Sequence, residues 1–316
     1  METNSYAPHG LWGGPSSTSE QKVSTLLKTN NFNAVRLPLA VDSVLNNPPA
    51  VASQISSKVD LANAFSGKTL RFLDVLDHVK NIGSGITDLW YSSSADQNNF
   101  ENAWSLLANR YKNTWNIIAA DLKNEPQGTA TWGSGNNATD WDQAAIKWAT
   151  TIQKIAPHWL IFVEGISKSS RDQKDYPAFW GENLMDVQRA PITLPVANRL
   201  VYSAHAYSSD VASQPYFSAS NYPDNMPALW DLHFGFVHGQ YGPVVVGEYG
   251  GRYSSTSDIQ WQNKFVAYLK AKSIGSFYWC VNPNSGDTEG LLLYDWITPR
   301  TDKFNLLSPL PSTPVP

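Results

Sequence analysis

The chain is poor in cysteine: Cys280 is the only one in 316 residues. That excludes an intrachain disulfide framework, and a lone cysteine of this kind reads as a small buried apolar side chain. No apolar run approaches the ~20 residues a membrane span needs. The opening stretch Met1-Glu2-Thr3-Asn4-Ser5 lacks the basic and apolar regions of an export signal. An excess of charge of one sign is missing too, with 23 basic against 27 acidic residues and no long like-charge run. The chain therefore lacks the electrostatic footprint of a nucleic-acid or anionic-membrane binder, and neutral partners fit better. His233 and His238 do not form a His-Glu-x-x-His pattern, so no metal site is expected. Ser19-Glu20-Gln21-Lys22 matches Ser-x-x-Lys, but an exposed first helix makes this a chance match. Asn137-Ala138-Thr139 is a glycosylation sequon, relevant only to an exported chain.

Aromatic residues are abundant, with 13 Trp, 14 Tyr and 12 Phe. This exceeds what a core alone requires, and sugar rings stack on such side chains. Strand-like runs recur around Val35, Ile117, Leu160, Val201, Val244 and Phe277, and helical patterns fill the gaps. Trp141, Ala145, Trp148, Ile152 and Ile155 form one face of a helix that Pro157 ends; Phe100, Ala103, Trp104, Leu107 and Tyr111 form another, and Trp261, Phe265 and Leu269 a third. Strands alternating with helices indicate parallel pairing through right-handed crossovers. The continuous apolarity of Leu160-Ile161-Phe162-Val163 indicates burial on both sheet faces. The expected fold is α/β, a (β/α) barrel in a single domain over residues 1–306, followed by a Pro-rich tail, 307–316, that reads as the stub of an extended linker. The first gap between strands is about twice the others. Gly83 to Tyr91 reads as loop, so six strands are counted.

Two of these runs end alike. Asn116-Ile117-Ile118-Ala119-Ala120-Asp121 closes on Leu122-Lys123-Asn124-Glu125-Pro126, and Pro243-Val244-Val245-Val246-Gly247 closes on Glu248-Tyr249-Gly250-Gly251. In a parallel barrel the carboxyl ends of the strands carry the active site. Two carboxylates so placed suit the cleavage of an acetal, in which one protonates the departing oxygen and the other attacks or assists from the opposite face.

In order along the chain, His9-Gly10-Leu11-Trp12, Val35-Arg36-Leu37-Pro38, Leu89-Trp90-Tyr91, Asp121 to Pro126, Phe162-Val163-Glu164-Gly165, Tyr202 to Tyr207, Gly247 to Gly250, Tyr278 to Pro283 and Ser285-Gly286-Asp287-Thr288 resemble glycoside hydrolase family 5. The likeness is greatest to its bacterial-type endo-β-1,4-glucanases. The resemblance implies an eight-fold (β/α) TIM barrel that hydrolyses β-linked glucans with retention of configuration and needs no metal or organic cofactor. By that resemblance Glu125 is the acid/base and Glu248 the nucleophile. Asn124 holds the sugar 2-hydroxyl, Arg36 orients the nucleophile, and His205 and Tyr207 line the site. Trp279 is the platform under the sugar, and Trp90 and Trp12 are further platforms. Glu164 has no step assigned, while Trp141, Trp148 and Trp261 are expected in the core. The family's first strand and third strand, the latter with a His-containing loop, find no counterpart here, and His78 sits inside a helical pattern. The resemblance further implies an extracellular monomer acting on β-glucan, with no nucleic-acid or membrane partner. A related β-mannanase, an exo-acting β-glucosidase or a glucan-binding homologue without hydrolysis remain compatible with the same residues.

Overall fold

The computed structural model describes residues 20–39, 41–47, 49, 71, 83–85, 90–91, 94–168, 176–295 and 297–313. Among the described residues seven strands form one parallel sheet in chain order: β1 (Arg36–Pro38), β2 (Gly83–Gly85), β3 (Ala119–Asp121), β4 (Leu160–Glu164), β5 (Leu200–Tyr207), β6 (Val244–Gly250) and β7 (Gly275–Tyr278). Each pairs only with its neighbours in sequence, as a singly wound (β/α) barrel requires. Among the described residues the α-helices are α1 (Glu20–Thr29), α2 (Val41–Asn46), α3 (Ser94–Tyr111), α4 (Trp141–Ile155), α5 (Met226–His233), α6 (Thr256–Lys272) and α7 (Thr301–Leu307). Among the described residues no helix is long and apolar enough to cross a membrane.

Gly83 to Gly85, expected as loop, forms a short strand between β1 and β3. Gly83-Ser84-Gly85 pairs in register with Arg36 to Pro38 on one side and with Ala120 on the other, and so bridges β1 and β3. Backbone hydrogen bonds alone define it, because a Gly-Ser-Gly strand offers no apolar pattern to read. The expected absence of a first strand falls before Glu20, outside the described residues, as do His9 to Trp12 and His78.

The helical faces read from spacing are the buried ones. Trp141, Ala145, Trp148 and Ile152 of α4 are enclosed, as are Phe100, Ala103, Trp104, Leu107 and Tyr111 of α3 and Trp261, Phe265 and Leu269 of α6. Phe100 stacks on Trp148 with centroids 4.9 Å apart, joining α3 to α4. Ser255 caps α6 by accepting the Asp258 amide, and Lys270 and Lys272 in its last turn suit the negative end of the helix dipole. Cys280 is buried, its thiol donating to the Asn282 carbonyl at 3.4 Å and the Glu289 carbonyl at 3.7 Å.

Trp90 corrects the sequence reading. It is 1% exposed, not a surface platform, and packs 5.0 Å from Trp141 and 6.4 Å from Trp148 between centroids. A large indole beside two helix-borne indoles is covered by them, which loop position alone does not reveal. Trp90→Ala is accordingly expected to lower the free energy of unfolding by about 3–5 kcal/mol in denaturant titration. A stable variant with weakened glucan binding would restore the platform.

The tail also differs from a free linker. α7 runs through Leu307, past the expected boundary, and Leu310 packs against the core. Asn33 donates its amide to the Thr313 carbonyl at 3.0 Å, and the Ser312 hydroxyl donates to the Asn31 carbonyl. The described part of the tail therefore docks beside the entry to β1.

Candidate active site

Arg36, at the start of β1, gathers acceptors from the carboxyl-terminal parts of three other strands, β3, β4 and β6. Its Nε donates to Asp121 Oδ2 on β3 at 2.5 Å, and one terminal nitrogen donates to Glu248 Oε1 on β6. The other donates to Asn124 Oδ1 at 2.8 Å and Glu164 Oε1 at 2.9 Å. Burial alone would depress the guanidinium, but Asp121, Glu248 and Glu164 outweigh it and hold the group well above its usual range. A planar fork with several fixed donors suits this role better than an ammonium.

His205, on β5, stands between the two carboxylates read from the sequence. Its Nδ1 lies 3.0 Å from Glu125 Oε1 and 3.5 Å from Glu248 Oε2. Its Nε2 lies 3.3 Å from Glu164 Oε1, close enough for charge attraction but outside hydrogen-bond geometry. The buried imidazole is raised well above its usual range: burial opposes the charge, but Glu164, Glu248 and Glu125 outweigh it. The Tyr207 hydroxyl donates to Glu248 Oε2 at 2.7 Å, and burial, with Glu248 and Glu125 nearby, keeps that phenol protonated.

A β-bulge brings this about. Ala204 pairs with Val246, but His205 pairs with Glu248, so Gly247 is the extra residue. A Cβ on Gly247 would lie 2.4 Å from Ser203 Oγ and 3.0 Å from His205 Nε2, so only glycine lets the two strands close here.

Glu125 has φ of 49°, a left-handed conformation uncommon for a side-chain-bearing residue. Its amide donates to Glu164 Oε2 at 2.7 Å, which pins that conformation. Glu164, left without a role by the sequence reading, therefore holds Arg36 and the Glu125 backbone, and also faces His205. Burial would raise Glu164, but His205, Arg36 and the Glu125 amide outweigh it and lower it. Burial pushes Asp121 up to about 7, against the pull of Arg36. Burial likewise raises Glu125, with Glu248 and Glu164 adding to it and His205 opposing. Two cations, Arg36 and His205, thus face four acids, and burial pushes Glu125, at the rim, toward its protonated form.

One oxygen each of Glu125 and Glu248, with a His205 ring nitrogen, lie within 4.8 Å of one another. These three could chelate a cation, but the Glu248 oxygens already accept from Arg36 and Tyr207, which an ion would have to displace. A spacing near 5 Å between two carboxyl groups is that of retaining glycosidases; inverting ones leave roughly 6.5–9.5 Å for a water.

The remaining residues fall around this centre. Asn124 accepts from Arg36 through Oδ1, which orients its amide nitrogen away from that bond. Trp279 is half-buried just past β7, its amide donating to the Tyr249 carbonyl at 2.8 Å, beside the end of β6. Trp12 lies outside the described residues, and Trp90 is in the core. Tyr91 braces the loop after Glu125, since its hydroxyl donates to the Gln127 carbonyl and accepts the Thr129 amide. Trp180, which the sequence reading passed over, is 49% exposed in the loop between β4 and β5. Its signal was a Trp-Gly pair, weak on its own.

A parallel barrel sheet carrying one carboxylate just past β3 and another on β6, bridged by a buried histidine on β5 between them, is the arrangement of a glycosidase. The family model for cellulase, glycosyl hydrolase family 5, matches residues 1–285. The major extracellular endoglucanase of Xanthomonas campestris pv. campestris is 38% identical over 98% of this chain, which spans 66% of that relative. An endoglucanase of Paenibacillus polymyxa is 38% identical over 97% of the chain and 79% of its own length. The solved structure of a hyperthermophilic endocellulase from the archaeon Pyrococcus horikoshii aligns with a TM-score of 0.86 at 37% identity, covering 98% of this chain and 89% of that one. The chain belongs to glycosyl hydrolase family 5, a family of retaining glycosidases.

Proposed function

We propose that the chain is an endo-β-1,4-glucanase acting on cellulose-like chains outside the cell. In the first step Glu248 attacks the anomeric carbon as Glu125 passes its proton to the departing glycosidic oxygen; the carbon-oxygen bond breaks and a glycosyl ester forms on Glu248. In the second, Glu125, now a carboxylate, takes a proton from water as the water oxygen attacks the same carbon and releases Glu248. Arg36 and Tyr207 hold Glu248 for attack. Asn124 offers its amide to the 2-hydroxyl, and Trp279 underlies the sugar.

The observation that carries this reading is that one oxygen of Glu125 and one of Glu248 lie within 4.8 Å of each other, which suits the close pair of carboxyl groups that double displacement uses. Relatives named as endoglucanases support the substrate class, and the Xanthomonas protein's extracellular description supports the location. Reducing-sugar release from carboxymethylcellulose, with proton NMR of the first anomer formed from a cello-oligosaccharide, tests it. The β-anomer is expected. The α-anomer would overturn the assignment of Glu248, and preference for mannan over glucan would overturn the substrate.

A further inference from the structure

Behind the active-site histidine, a second buried acid in the loop between β4 and β5 meets a buried histidine at the end of α5, and the reaction uses neither. His233 Nδ1, at the end of α5, lies 3.1 Å from Glu182 Oε1, with side chains 1% and 3% exposed. The other ring nitrogen of His233 donates to the Tyr176 carbonyl at 3.0 Å, and the His233 carbonyl accepts the Leu184 amide at 2.9 Å. Glu182 Oε2 in turn accepts the Phe179 amide at 2.7 Å. Three contacts, at Tyr176, Glu182 and Leu184, thus tie the loop to His233 at the end of α5, and Glu182 also holds the Phe179 amide within the loop.

What the loop touches gives this tether its meaning. The Gly181 carbonyl accepts the backbone amides of Gly165 at 3.0 Å and His205 at 3.3 Å. Gly181 has φ of +76°, and a Cβ there would lie 3.0 Å from Glu164 Oε2 and 3.1 Å from His205 Cγ, so its backbone lies directly on both side chains. Phe179 meets the Tyr207 ring edge-on with centroids 6.1 Å apart. Within three residues the loop therefore packs on His205, Glu164 and Tyr207, which hold Glu125 and Glu248.

We propose that the Glu182–His233 pair is a positioning device for the active site: by pinning the loop from Tyr176 to Leu184, it sets where His205 and Tyr207 stand against Glu125 and Glu248. The proposal rests on the glucanase reading only for its effect on rate. Buried ion pairs are weak sources of stability and are retained in some proteins for the geometry they impose. Here each partner is also hydrogen-bonded to the loop backbone, so loss of either releases the same segment.

The test uses Glu182→Gln, His233→Gln and the double variant, with Asp231→Asn as control. Asp231 lies on the same helix and accepts the Tyr268 hydroxyl at 2.8 Å, so its loss loosens α5 without reaching the loop. Titration of the Glu125 carboxyl is followed by carbon-13 NMR, which needs no activity. Glu125 is faced by His205 from β5, Glu248 from β6, Glu164 from β4 and the Tyr207 hydroxyl; of these His205 favours its ionised form. A released His205 should therefore move the Glu125 titration to higher pH in both single variants. The kcat on soluble glucan should fall by up to about 10²-fold, with KM little changed. The double variant should resemble either single one, as expected for partners acting as a unit. Asp231→Asn should lower the melting temperature without moving the titration. An unmoved Glu125 titration in folded variants overturns the proposal. Should a single variant fail to fold, the double variant, with a neutral amide pair, is read in its place. If the unaltered chain releases no sugar while the titration still responds, the glucanase reading fails and the positioning role stands.

Discussion

Replacing Glu248 with glutamine is expected to remove glucan hydrolysis, by on the order of 10⁴-fold in kcat or more, the scale on which loss of a single essential nucleophile registers. The substitution conserves shape. The amide oxygen it introduces can still accept from Tyr207, which in the unaltered chain donates to Glu248 Oε2 at 2.7 Å. Arg36 loses one anionic partner but keeps Asp121 and Glu164, both buried beside it. Folding should survive, and a melting curve near that of the unaltered chain would confirm it. What is lost is the charge that forms the ester, because a neutral amide oxygen is a poor nucleophile toward the anomeric carbon. Reducing-sugar release from carboxymethylcellulose measures the effect directly. Retention of more than a few per cent of activity in a folded variant would move the nucleophile elsewhere, and Glu164 is too enclosed to replace it, with no exposed surface at all.

The position of the candidate site was legible in the sequence where one signal sufficed. An apolar run buried on both faces must belong to a central parallel strand, and the polar residue that ends it must stand at the barrel mouth. Glu125 and Glu248 were legible for that reason, and Arg36 entered through the motif around it. The same logic could not assign Glu164. It too ends a buried strand, but its role depends on reaching the Glu125 amide and Arg36, and those contacts arise only when β1, β3 and β4 lie side by side. Asp121 was hidden similarly, since a carboxylate next to a catalytic motif gives no sign of the guanidinium on another strand.

The two errors have separate causes. Trp90 sits outside any periodic segment, which favours a surface position, yet α4 brings Trp141 and Trp148 over it. Tertiary contact overrode local pattern. Gly83-Ser84-Gly85 failed the opposite way, because strand recognition relies on side chains packed against sheet neighbours, and this segment pairs through its backbone. The Gly247 bulge was likewise invisible: the pattern Val244-Val245-Val246-Gly247 reads as a plain strand end, and the slip in register against β5 that aims Glu248 at His205 is a property of the pair of strands.

The second large effect separates Glu125 from Glu248 and rests on how proton demand differs between substrates. A glucan leaves as a sugar alkoxide and requires Glu125 to donate a proton, whereas a nitrophenyl glycoside has a leaving group that departs largely without help. Glu125→Ala should therefore cost about 10²–10⁴-fold on natural glucan, the range for loss of a general acid, and much less in the glycosylation step of a nitrophenyl cello-oligosaccharide. The pH profile should change with it. Burial raises Glu125, with Glu248 and Glu164 adding to the shift, so the donating form persists above the ordinary carboxylic range. Activity on glucan should then fall as pH rises through that raised value. In Glu125→Ala this alkaline limb should vanish from the kcat/KM profile on nitrophenyl substrate, because the group whose proton is lost is gone. A limb that stays in place would assign the titration to another group, with Asp121, pushed up to about 7 by burial, the first to examine. Equal losses on both substrates would show that Glu125 acts in attack or binding. Its position, with the amide held by Glu164 and one oxygen 3.0 Å from His205 Nδ1, fits a proton donor fixed in direction before the substrate arrives, which is what preorganised acid catalysis requires.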